Sequence, residues 1–161
     1  MLSMPNTRRL ALTFLFAGAT ALIAGCDDDP AEPEPEPTFN RVEFALASTT
    51  TTDTDTVTVS TTGTQTGTAD FPAGTTTVTI TRARFLRADG TEDPVVTAAD
   101  FELRGTTGGS TGVTFSLATG QSFQGTIQGL TNGARTIMMQ LWHKAEGHED
   151  FAQLLRLQIG P

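Results

Sequence analysis

The chain has 161 residues, a formal net charge of −8, one cysteine and no tyrosine. Its few basic residues are scattered, so it lacks the positive footprint that a phosphate backbone requires, and nucleic acid is set aside as a partner. A lone cysteine can form no intrachain disulfide, so any fold must rest on apolar burial and sheet hydrogen bonds.

Residues 1–25 open with Arg8 and Arg9 and continue as an apolar run, Leu10 to Ala24, of 15 residues. That is shorter than the roughly 20 residues needed to cross a hydrocarbon core. A basic start, a short apolar stretch and small residues at its end predict an export signal. The run finishes in Ile23-Ala24-Gly25-Cys26. This resembles the lipobox of bacterial lipoproteins, in which an aliphatic residue, a small one and Gly or Ala precede the cysteine. The resemblance implies cleavage between Gly25 and Cys26, a diacylglycerol thioether on Cys26, and acylation of the new N-terminus. It places the chain in a bacterial cell envelope, held to a membrane by lipid, with inner and outer membrane left open. The alternatives are an ordinary signal peptide with a coincident cysteine, or an uncleaved anchor. The lack of any other cysteine argues against coincidence.

Residues 26–37 follow as a tether. Asp27 to Pro37 reads DDDPAEPEPEP and holds six of the chain's 18 acids. Alternating proline removes backbone donors and favours extended geometry, and like charges repel, so this linker is expected to be disordered, an arm reaching ~30 Å at ~3.1 Å per residue. Asp27 beside the cysteine is similar to the inner-membrane retention signal of enteric bacteria, a rule that varies among bacteria.

From residue 38 to 161 the charge is ordinary, with 8 basic and 12 acidic residues, and threonine and glycine are abundant. Threonine, valine and phenylalanine suit pleated surfaces and disfavour helix. Period-two alternation predicts strands at 42–47, 56–60, 76–87, 95–96, 100–104, 112–118, 122–130, 135–143 and 151–159. Inward positions are Val42, Phe44, Leu46, Val57, Val59, Val78, Ile80, Phe101, Leu103, Val113, Phe115, Leu117, Ile137, Met139, Leu141, Leu155, Leu157 and Ile159. The alternation changes phase between Ile80 and Phe85, which predicts a bulge. Asp89-Gly90 and Asn132-Gly133 supply residues for positive-φ turns. The Thr-rich stretches 48–55 and 61–68 read as exposed loops or a flexible edge. The class is all-β, a single antiparallel sandwich. The segment from Leu130 through Asn132-Gly133 to Leu141 resembles part of bacterial immunoglobulin-like surface modules, where such a turn is either a hairpin or a corner between sheets.

Chemistry concentrates in His143-Lys-Ala-Glu146-Gly-His148-Glu149-Asp150, which contains both histidines of the chain. Imidazoles and carboxylates at a strand-to-strand turn suit zinc, copper or nickel, with His143, Glu146, His148 and Asp150 as ligands. The spacing is not the HExxH helix motif. The plainer reading is a polar loop in which His143 closes the inward face of its strand, and an intermediate one has His143 in a structural hydrogen bond with a loop carboxylate. Gly108 to Gly112 reads GGSTG and matches G-x-S-x-G, but a nucleophile elbow needs a strand before it and a helix after it, and a Thr-Gly loop with a following strand is expected here. Asp89, Glu92 and Asp93, and separately Asp53 and Asp55, form acidic turns that calcium or ordinary turn chemistry would explain. Trp142 faces away from Leu141 and His143, either to stack on a partner or to cover the sheet's second face. No catalytic constellation and no cofactor other than a divalent metal emerges. The sequence predicts a non-enzymatic binding, adhesion or structural module, with divalent-metal binding as the alternative and the protein or glycan partner unspecified.

Overall fold

A computed structural model describes residues 34–106 and 108–160. The export signal, Gly25, Cys26 and the arm up to Pro33 lie outside the described residues. From Glu34 onward the chain is one compact unit. Its strands are β1 (Arg41–Ser48), β2 (Thr54–Ser60), β3 (Gln65–Thr66), β4 (Asp70–Phe71), β5 (Thr77–Leu86), β6 (Phe101–Thr106), β7 (Thr114–Leu117), β8 (Gly125–Gln128), β9 (Gly133–His143) and β10 (His148–Ile159). They form two sheets, β3-β2-β1-β5-β8-β7 and β4-β10-β9-β6, packed as a sandwich. Among the described residues no helix is long and apolar enough to cross a membrane.

Alternation dictates the packing. In β1, Val42, Phe44 and Leu46 are buried between half-buried neighbours. Ile80 and Ile127 of the same sheet meet Phe101, Leu141 and Leu155 of the other in one core. Each such side chain contributes about 1.5–3 kcal/mol on leaving water, against the conformational entropy of ordering it. The expected phase change is a bulge. Ala45 pairs with Arg82 and Leu46 with Ile80, leaving Thr81 as the extra residue of β5. Thr81 and Arg82 are both exposed there, which resets the alternation for Phe85.

Three expectations are corrected. Val95 and Val96 form a turn and no strand, because Asp93 takes both of their amides: its Oδ1 accepts from Val95 N and its backbone oxygen from Val96 N. The stretch 61–68 contains β3, the edge strand of its sheet, in line with the edge reading, whereas Ser48 at the start of the other Thr-rich stretch is buried rather than exposed. The sandwich is also not wholly antiparallel, since β4 lies parallel to β10 through Gln158–Asp70 and Ile159–Phe71. Phe71 is buried in the core, and that burial holds the two-residue strand in place.

The turn at Asn132-Gly133 joins β8 of one sheet to β9 of the other, so it is an inter-sheet corner. Gly125 has a packing reason as well: a Cβ there would lie 2.6 Å from Cε2 of Phe115, whose ring occupies the space a side chain would need. What matters for function is the hairpin β9–β10. Its tip lies beside β6 and beside residues 34–39, where the acidic arm enters the domain.

Candidate metal centre

β9 carries an inward series, Ile137, Met139, Leu141 and then His143. The strand's own periodicity therefore buries an imidazole, and only 4% of the His143 side chain is exposed. Phe101 is its register partner on β6, and the two rings stack with centroids 4.4 Å apart at 24°. The chain then turns through Lys144–Gly147. Gly147 closes the turn at φ 72°, a conformation open to glycine, and its amide donates to the His143 oxygen at 2.9 Å. His148 consequently pairs with His143 across the hairpin, and the two rings meet edge to face at 5.6 Å.

Asp150 reaches the same place by a different device. Glu149 pairs with Trp142 and Phe151 with Leu141, so Asp150 is the unpaired residue of a bulge. Regular alternation would aim it opposite to Phe151, out of the sandwich. The bulge turns it back toward the histidines, leaving its side chain 11% exposed, a common use of bulges at functional positions.

Around these groups the polar contacts are incomplete. His148 is served on both nitrogens, Nδ1 at 3.3 Å from Glu146 Oε2 and Nε2 at 3.0 Å from Asp150 Oδ1. Nδ1 of His143 lies 3.5 Å from Glu146 Oε2 and 4.0 Å from Asp150 Oδ2. Among the described residues it has no hydrogen-bond partner, and neither does Asp150 Oδ2, although both atoms are buried. A buried polar atom without a partner costs about 1–3 kcal/mol. One ligand atom each from His143, His148 and Asp150 lies within 4.8 Å of the others. A tetrahedral zinc with bonds of ~2.1 Å spaces its ligands ~3.4 Å apart, so this set needs only side-chain adjustment to grip such an ion. Neutral imidazoles with carboxylates also suit copper or nickel.

Of the four predicted ligands, His143, His148 and Asp150 form one set of close ligand atoms, and Glu146 Oε2 lies 3.5 and 3.3 Å from Nδ1 of His143 and of His148. The residue that sequence reasoning missed is Glu34. Its Oε2 lies 3.7 Å from the other nitrogen of His143, Nε2, and Glu34, His143 and Glu146 form a second set of close ligand atoms. Glu34 also forms one wall of a cleft of about 420 Å³ with Pro35, Pro94, Val95, Phe101 and His143.

The remaining candidates have structural engagements. Ser110 Oγ accepts from Thr136 N at 3.0 Å, Ser110 N donates to Thr136 O, and β7 follows the loop where an elbow would have a helix. Asp89 accepts from the amide and hydroxyl of Thr91, which hold its carboxyl below the usual aspartate range. Glu92 pairs with Arg84, and Asp93 is tied to Thr38 and Arg87. Asp53 accepts from Thr51, and Asp55 from the Asp70 amide. Those acids do not converge on a common point. Trp142 is half-buried on the outer face, covered by the Arg104 guanidinium 4.1 Å from its ring centroid.

No protein-family model, no curated protein and no solved structure matches this chain.

Proposed function

We propose that the chain is a lipid-anchored envelope lipoprotein whose β-sandwich presents a divalent-cation site made by His143, Glu146, His148 and Asp150. The observation that carries the cation reading is the pair of buried, unpartnered atoms, His143 Nδ1 and Asp150 Oδ2, facing each other 4.0 Å apart. An ion between them satisfies both at once and replaces close carboxylate contacts with metal bonds. Two neutral imidazoles and two carboxylates balance a double positive charge. The role is binding, for handling or sensing the ion at the membrane surface.

Zinc titration of the mature protein in detergent, in competition with a chromogenic chelator, tests this. His143→Ala should lower affinity at least 100-fold. Because His143 is packed against Phe101, His148→Ala is the companion variant: its ring is 44% exposed, and its loss should weaken binding about tenfold while leaving the β-sheet circular dichroism unchanged. Equal zinc affinity in the wild type and both variants would remove the proposal.

The anchor rests on Ile23-Ala24-Gly25-Cys26. Cys26→Ala should abolish incorporation of radiolabelled palmitate and release the protein from membranes. Labelling that persists unchanged in the variant would sink this part.

A further inference from the structure

We propose that Glu34, on the tether, is a positioning residue for the metal centre: it accepts the Nε2 proton of His143 when Nδ1 holds the ion, and so couples metal loading to docking of the arm. This rests on the cation site proposed above.

The imidazole has two faces in this fold. Nδ1 looks toward Glu146 and Asp150, and Nε2 looks toward Glu34. A neutral ring carries one proton. An ion on Nδ1 leaves Nε2 as the nitrogen that carries the ring's proton, so the ring presents an N–H toward the Glu34 carboxylate. Histidine ligands regularly give their second N–H to such a group, which fixes the tautomer and raises ligand basicity. The present separation of 3.7 Å exceeds a hydrogen bond by less than an ångström, and the Glu34 side chain is 67% exposed and free to close it.

The location of Glu34 gives the contact its consequence. The arm is clamped to the domain just after this residue. Thr38 N and Oγ1 donate to Asp93 Oδ2 at 2.5 and 3.1 Å. Phe39 is buried against Phe85 and Phe151, with ring centroids 5.2 and 6.1 Å away. Phe151 directly follows the ligand Asp150. The arm therefore has a fixed root beside the metal centre, and Glu34 is the latch one short step upstream. Metal loading would fasten Glu34 against the domain.

The test uses the mature protein in detergent, with zinc affinity measured by chelator competition and hydrogen exchange followed at the amides of Glu34, Glu36 and Thr38. Glu34→Ala should weaken zinc binding about tenfold. Glu34→Gln should retain most of the affinity, because its amide oxygen still accepts from Nε2. Glu36→Ala removes the same charge from the same arm and should bind like the wild type. Zinc should slow exchange at the arm amides in the wild type and fail to do so in Glu34→Ala. If Glu34→Ala binds zinc normally with unchanged arm exchange while His148→Ala is impaired, the latch is wrong and the metal centre stands. If Glu36→Ala weakens binding as much as Glu34→Ala, a general charge effect replaces the latch. If the wild type binds no zinc, both proposals fall together.

Discussion

Asp93→Ala is expected to lower the unfolding free energy by about 3 kcal/mol, and Asp93→Asn to flatten the loss of stability in acid. The Asp93 side chain has no solvent exposure yet remains an anion with four donors. Thr38 N and Oγ1 reach Oδ2, while Arg87 Nη2 and Val95 N reach Oδ1 at 3.0 and 3.1 Å. Burial is the largest single influence on its pKa and pushes it up, but the bonds from Thr38 and Val95 and the Arg87 charge together outweigh it and hold the carboxyl below the ordinary aspartate range. A hydrogen bond to a charged group contributes about 1.5–3 kcal/mol, and the partial exposure of Arg87 and Thr38 reduces the sum. The stabilisation is complete above the pKa of the unfolded chain, near 3.9, and is lost as the pH falls through the lower folded value. Urea unfolding at pH 7 and along a series below about pH 4 should therefore show the wild type losing stability faster than Asp93→Asn. Parallel curves for the two proteins would show that Asp93 is not the acid-sensitive contact.

That contact also explains why part of the fold could not be read from the residues. Val95-Val96 has the composition of a strand, and only the position of the Asp93 carboxylate and carbonyl beneath its amides makes it a turn. β3 and β4 are two residues each, too short for any period to register, and β4 exists because Phe71 is drawn into the core. Where a strand is long and one face is buried, as in β1, β5 and β9, the alternation specified both the element and its inward side. Even the bulge at Thr81 left a trace, because an extra residue must reverse the phase of every residue after it.

The candidate site divides the same way. His143 was visible as the next inward position after Leu141, and His148 and Glu146 as its neighbours around a tight turn. The bulge that recovers Asp150 for the site left no such trace, since a change of phase one residue before the regular part of β10 begins cannot be distinguished from the end of the loop. Glu34 was hidden altogether. Its place depends on Phe39 packing against Phe151, a tertiary contact that alternating glutamate and proline does not encode.

Asp150→Ala should separate stability from metal binding more sharply than any other change in the site. Asp150 is the unpaired residue of its bulge, so the substitution leaves the neighbouring pairs Glu149–Trp142 and Phe151–Leu141 in register. In the absence of metal two effects oppose each other. The bond from Asp150 Oδ1 to His148 Nε2 is lost, and the buried, unpartnered Oδ2 is removed. Each is on the order of 1 kcal/mol, so the metal-free variant should unfold within about 1 kcal/mol of the wild type. Zinc makes the difference. At a free concentration of 100 times its Kd, an ion that binds only the folded state stabilises it by about 2.7 kcal/mol. A variant bound about 100-fold more weakly gains only ~0.4 kcal/mol at that same concentration. For a domain of this size the gap corresponds to roughly 8–10 °C in the zinc-induced shift of Tm. Differential scanning fluorimetry with and without zinc, in an excess of chelator for the metal-free arm, reads it directly. Equal zinc-induced shifts in wild type and Asp150→Ala would mean that the bulge carboxylate is not a ligand. A metal-free variant several kcal/mol less stable than the wild type would mean that Asp150 serves the fold, because a structural residue is missed in every condition and a ligand only when its ion is present.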